Sequence, residues 1–224
     1  MASEAEREIR SAVVARLREV RPKARIIHEL KVFHGQNRVD LAAVSLDEII
    51  LVEIKSKKDT LARLQDQANA CQALSNHSLI LLHEKHLERG HTEASQWNKA
   101  YSYALVKQHK GDFIHIHNSD LWVYPQLPEG DLLHCRVDDW NIEKKKFSEL
   151  PPVGALLDLL WVEEQLSLAD SLGISLKGCN TKDKRAQRIS FHATGEQVLR
   201  GVCWQLRGRE FATADAPISY KRAA

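Results

Sequence analysis

The chain has 224 residues, a formal net charge of +2, 43% hydrophobic and 28% charged residues, a balance that suits an ordinary soluble domain with a sizeable core and excludes a globally basic nucleic-acid binder. Its four cysteines, Cys71, Cys135, Cys179 and Cys203, form no C-x-x-C pair, so they read as buried thiols in a reducing cytoplasm rather than as a disulfide framework or a zinc site. The N-terminal MASEAEREIR is charged, and no apolar run approaches the roughly 18 residues of a membrane span, so the expectation is a cytoplasmic protein with no signal peptide and no membrane partner.

Along residues 3–20, Ile9, Val13, Leu17 and Val20 recur at helical spacing and Pro22 stops the run. Residues 25–33 and 38–45 predict two strands joined by Gly35-Gln36-Asn37. Residues 49–55, IILVEIK, are the strongest strand signal in the chain. The period then changes. Leu61, Leu64, Ala68, Cys71 and Leu74 predict a helix capped by Ser56 or Asp59, and residues 78–83 return to strand. The expected order is α-β-β-β-α-β.

The later signal is weaker. A helix over 93–104, a hairpin of 112–117 with 121–124, a proline-rich middle, a long helix over 154–170 and a last helix over 194–208 are expected. The basic run 182–188, KDKRAQR, reads as a solvated linker, with a grip on a nucleic-acid backbone as the sharper alternative. The expected organisation is a core over 1–150 with a β-hairpin extension, followed by a helical accessory region over 151–224.

One segment carries chemistry: R-V-D-L-A-A-V-S-L-D-E-I-I-L-V-E-I-K, residues 38–55. Alternate residues of a strand share a face, so Glu53 and Lys55 point the same way. If Leu46-Asp47 is a two-residue turn, Asp40 falls opposite Glu53, with Cβ atoms about 4.5–5.5 Å apart. One divalent cation fits two such carboxylates. Mg²⁺ takes oxygen ligands, often one or two carboxylates plus substrate phosphate, and a neighbouring lysine orients or deprotonates the attacking water. Acid-x-Lys alone is common. The apolar hairpin around it makes the set informative, because buried charges are costly unless paired.

R-V-D at 38–40 and V-E-I-K at 52–55, inside this order of elements, resemble the PD-(D/E)XK, restriction-endonuclease-like nuclease superfamily. The string E-I-K-S-K-K-D-T-L-A-R-L-Q-D-Q, 53–67, is similar to the MmcB-related bacterial and phage DNA-repair group, and L-L-W-V-E-E, 159–164, resembles the tail of such proteins. The resemblance implies an α/β fold with a mixed sheet and Mg²⁺- or Mn²⁺-dependent hydrolysis of DNA. It implies Asp40 and Glu53 as metal-binding acids, the Ile54 carbonyl as a further ligand, and Glu8 as an N-terminal acid completing the site. It gives Lys55 the role of catalytic lysine and makes Gln67 the counterpart of a RecB-like glutamine. The chain has Cys71 where that motif has tyrosine, and Val39 where the superfamily name has proline.

Other residues have weaker readings. Glu29 faces the cleft or forms an edge salt bridge. Lys57, Lys58 and Arg63 contact phosphates or simply solvate a helix start, and Asp59 and Thr60 read as a helix cap. The pairs His83/His86 and His115/His117 lack further ligands at zinc spacing. The expected activity is a Mg²⁺-dependent deoxyribonuclease. A catalytically inactive nucleic-acid-binding module and an RNA-directed nuclease are the alternatives, and a homodimer stays open.

Overall fold

The computed structural model describes residues 4–32, 37–92, 101–106, 119–129, 132–133, 136–137, 139–142 and 150–218. The first half runs α1 (Glu4–Val20), β1 (Arg25–Val32), β2 (Asn37–Val44), β3 (Ile49–Lys55), α2 (Leu64–Leu74) and β4 (His77–His83). This is the order the periodicities predict. After a 3-10 turn at Glu84–His86 come β5 (Leu87–Thr92), β6 (Tyr101–Val106), β7 (Ser119–Tyr124), β8 (Leu132–Leu133) and β9 (Arg136–Val137). Four helices follow: α3 (Val153–Asp158), α4 (Val162–Ser171), α5 (Lys182–His192) and α6 (Gly195–Gly208).

The main sheet has the order β1-β2-β3-β4-β7. The first three strands are antiparallel, and β3, β4 and β7 are parallel. A smaller sheet joins β5, β6, β8 and β9. The protein is therefore a mixed α/β fold. Among the described residues no helix is long and apolar enough to cross a membrane.

Every residue of β3 is buried, and its pleat divides the two halves of the core. Ile50, Val52 and Ile54 pack with Ile9, Val13 and Leu17 of α1. Ile49 and Leu51 pack with Cys71 and Leu74 of α2 and with the C-terminal helices, through Leu156, Leu168, Val202 and Leu206. The helical region thus shares a core with β1, β2 and β3. Two arginines tie it down. Buried Arg25 donates through Nη1 to the carbonyls of Leu206 (2.9 Å), Arg207 (2.9 Å) and Arg209 (2.6 Å), which are carbonyls at the end of α6. Arg207 Nη1 donates to the Lys23 and Val44 carbonyls, both at 2.8 Å. Gly201 lets α6 approach α4, because a Cβ there would lie 2.1 Å from Leu168 Cδ1.

Four later elements differ from the sequence reading. Residues 101–104 lie in strand β6, and 93–100 fall outside the described residues. Residues 121–124 pair in parallel with β4, as part of β7, whereas 112–117 lie outside the description. The apolar pattern of 154–170 is broken into α3 and α4 around Leu159-Leu160-Trp161. The basic run 182–188 belongs to helix α5. Thr181 Oγ1 accepts from Lys184 N, and Arg185 and Ile189 are buried. Two buried positions four apart are too few to stand out among lysines and arginines.

At the far end of the sheet from Lys55, buried Glu48 takes a bidentate pair from Arg21, Nε at 2.6 Å and Nη2 at 3.0 Å. His77 Nε2 lies 3.3 Å away, close but without the alignment of a hydrogen bond. Burial alone would raise the Glu48 pKa, but His77 and Arg21 outweigh it and hold the carboxyl down at about 2. A carboxylate with a depressed folded-state pKa stabilises the fold above its ordinary pKa and loses that contribution as pH falls toward the folded value. Glu48→Gln is expected to cost about 2–3 kcal/mol in urea unfolding at pH 7. Its deficit against wild type should shrink steadily between pH 5 and about pH 2. A constant deficit over that window would contradict the assignment.

Candidate metal and phosphodiester site

The site lies where β2 and β3 stop pairing. Their ladder runs Val44↔Ile49, Ala43↔Ile50, Ala42↔Leu51 and Leu41↔Val52, closed by Ser45 N donating to the Glu48 carbonyl at 2.9 Å. Leu46-Asp47 is therefore the turn, and the ladder ends at Leu41↔Val52, one step short of Asp40 and Glu53. Here the Asp40 carboxylate enters the ladder: Ile54 N–H donates to Asp40 Oδ2 at 2.8 Å. On the other side of β2, the pairs His28↔Leu41 and Leu30↔Val39 flank a step at which Glu29 takes φ of +58°. A left-handed conformation at a glutamate costs roughly 1–2 kcal/mol. Such strain persists where surrounding contacts enforce it.

Glu53 and Lys55 share the face toward α2. Glu53 is 3% and Lys55 7% exposed. Lys55 Nζ donates to Glu53 Oε1 at 2.8 Å and to Gln67 Oε1 at 2.6 Å. Gln67 thus holds the lysine from α2, and Cys71, one turn further along α2, is buried. Burial, followed by the charges of Glu53 and Asp40, pushes the Cys71 thiol pKa up, so it stays a neutral thiol in the wall.

Both acids have raised pKa values. Burial lifts Asp40, against the Ile54 N–H and the Arg10 charge. Burial and then the charge of Asp40 push Glu53 up to about 7, against the opposing Lys55 contact. The charge that adds to burial at Asp40 is that of Glu29, so three acids, Glu29, Asp40 and Glu53, are linked electrostatically at this end of the sheet.

The acid brought in by α1 is Glu6. Arg10 Nη2 contacts Glu6 Oε1 (2.8 Å), Glu29 Oε1 (3.2 Å) and Asp40 Oδ1 (3.4 Å), and Arg10 Nη1 donates to the Asp40 carbonyl at 2.6 Å. One carboxylate oxygen each from Glu6, Glu29 and Asp40 lie within 4.8 Å of one another. Glu8 is exposed, and its Oε1 accepts from the Tyr124 hydroxyl at 2.6 Å. Helix phase explains the difference. Glu6 and Arg10 are four apart on one flank of the Ile9-Val13-Leu17 stripe, and Glu8 falls on the other flank. That phase was readable in the sequence. The contacts of Arg10 were not, since they depend on how α1 crosses the sheet.

The loop after β3 is anchored on both sides. Asp59 Oδ2 accepts from Ser56 N at 2.8 Å and from Ser56 Oγ at 2.6 Å, so it closes a turn, and α2 starts five residues later at Leu64. A ring nitrogen of buried His86 lies 2.9 Å from the Ser56 carbonyl, and Lys85 Nζ donates to the Lys57 carbonyl. Burial lowers the His86 pKa, which favours the neutral ring. Lys57, Lys58 and Arg63 are exposed on this rim, and the Arg63 charge reaches Glu53.

The donor set suits a hard divalent cation. Asp40 and Glu53 supply carboxylate oxygens, and Ile54 brings a backbone carbonyl between Glu53 and Lys55. Residues 1–96, which include Asp40, Glu53, Lys55 and Gln67, match the family model described as bacteriophage P4 protein cII. No curated protein and no solved structure matches the chain.

Removing the Asp40 charge should lower the Glu53 pKa toward the ordinary carboxylate range, because that charge raises it in the wild type. Side-chain carboxyl NMR titration of wild type and Asp40→Asn in chelator reads this directly. An unchanged Glu53 midpoint would contradict the proximity of the two acids.

Proposed function

We propose that the protein is a metal-dependent nuclease that hydrolyses phosphodiester bonds of DNA. The single observation that supports the reading best is the convergence of buried Glu53, Lys55 and Gln67 with Asp40, whose carboxylate caps the Ile54 amide. Asp40 and Glu53 would hold Mg²⁺ or Mn²⁺, with the Ile54 carbonyl as a further donor. When bound, the cation would polarise the scissile phosphate.

The remaining steps belong to the chain's own groups. Lys55 has its ammonium fixed between Glu53 and Gln67, so it presents a proton donor in a constant place. From there it orients the attacking water and offsets the negative charge that develops on phosphorus-bound oxygen. Gln67 orients Lys55. The β3–α2 loop, held by Asp59, Lys85 and His86, carries Lys57 and Lys58 outward, where they draw in a phosphate backbone. None of these groups reads a base, so the reading carries no sequence preference.

The test is incubation with plasmid, linear duplex, single-stranded DNA and RNA, in Mg²⁺, Mn²⁺ or chelator, beside Lys55→Ala and Asp40→Ala. Cleavage of DNA is expected with metal and not with chelator, reduced about 100-fold or more by either substitution. Equal cleavage by wild type and Lys55→Ala would overturn the mechanism. Binding without cleavage, unaltered in Asp40→Ala, would favour a non-catalytic nucleic-acid-binding module.

A further inference from the structure

Asp40 has two carboxylate oxygens and they are differently engaged. Oδ2 is taken by the Ile54 amide at 2.8 Å. Oδ1 has no backbone donor on it and is the more open oxygen toward a cation, and Arg10 Nη2 sits 3.4 Å from it. Arg10 does not depend on that contact. Its Nη2 is also 2.8 Å from Glu6 Oε1 and 3.2 Å from Glu29 Oε1, and its Nη1 donates to the Asp40 carbonyl at 2.6 Å. Its side chain is 11% exposed, so it cannot swing freely into solvent.

We propose that Arg10 is a tethered counter-cation that competes with the divalent metal for Asp40 Oδ1 and so weakens the metal affinity of the resting protein. The inference rests on the nuclease reading above. Its physical basis is charge. A guanidinium cannot be deprotonated in a protein, so it stands permanently against the acid the metal needs. When the metal arrives, the guanidinium yields Oδ1 and retains Glu6 and Glu29. The anchors make that retreat short and reversible. Without metal, Arg10 offsets the mutual repulsion of Glu6, Glu29 and Asp40 and keeps the site assembled. The sign of the effect follows. Removing the charge makes the acids repel one another and lowers stability in chelator. It also tightens binding of the divalent cation, on the order of tenfold, as loss of a like charge at this range does.

Two measurements test it. In the first, Mg²⁺ and Mn²⁺ are titrated by calorimetry into wild type, Arg10→Met and Arg10→Lys, with thermal unfolding followed in chelator and in Mg²⁺. Arg10→Met should bind on the order of tenfold tighter, melt lower in chelator and gain more from Mg²⁺ than wild type does. Arg10→Lys keeps the charge and should bind close to wild type. In the second, which uses the unaltered protein, the Arg10 Nε–H resonance is followed during Mg²⁺ titration. It should shift in step with the Asp40 amide. Equal or weaker binding by Arg10→Met, or an Asp40 shift with no Arg10 shift, overturns the competition and leaves the metal site standing. No heat and no Asp40 shift in the wild type overturns the nuclease reading together with this inference.

Discussion

Strand β3 is buried along its whole length, yet it ends in a glutamate and a lysine. Burying a lone charge costs several kcal/mol, so each of these groups must find an opposite charge or a hydrogen bond. The neighbouring elements supply them. Lys55 is held by Glu53 and Gln67, and the Ile54 amide is held by Asp40. The partners come from β2, β3 and α2, so the two sheet strands and the helix must meet at one point. The antiparallel ladder ends there, because a carboxylate has taken over a backbone donor.

The same constraint shapes what lies around it. Asp40 at the end of the ladder gathers Arg10 from α1, and Arg10 gathers Glu6 and Glu29. Glu29 takes the left-handed conformation at the matching step of β1. On the other side, the Ser56-Asp59 turn and the His86 contact fix the loop that follows Lys55. The C-terminal helices complete the scaffold, since they cover the β3 face that continues below Glu53, through Ile49 and Leu51. Arg25 and Arg207 lock those helices to β1 and β2 by hydrogen bonds to backbone carbonyls. Rigidity at the base of the sheet and charge at its end are thus parts of one packing problem.

Much of this was legible in the sequence for a plain reason. Register in a tight hairpin is a matter of counting, so Leu46-Asp47 as the turn gives the observed register as far as Leu41↔Val52 and points to Asp40 and Glu53 at the next step. Short-period patterns likewise predict α1, β3, α2 and β4. What was not legible depends on long-range geometry or on diluted patterns. Helix α5 hides its Arg185 and Ile189 contacts among exposed lysines and arginines. Strand β7 joins the sheet beside β4, a pairing that no local hairpin signal encodes. The motif resemblance points to Glu8, whereas helix phase sets Glu6 on the Arg10 flank and Glu8 against Tyr124. Arg10 itself carried no signal, because its role exists only once α1 crosses β2.

The proposed nuclease activity requires Asp40, Glu53 and Ile54 to form one cation site at the end of β3. Titrating Mn²⁺ into isotope-labelled protein tests this most directly, since the paramagnetic ion broadens the amide signals of its nearest residues. The amides of Asp40, Glu53 and Ile54 are expected to broaden first and together, at the lowest Mn²⁺ concentrations. Sharp signals at all three, with broadening centred on acids elsewhere such as Asp120 or Asp139, would contradict it.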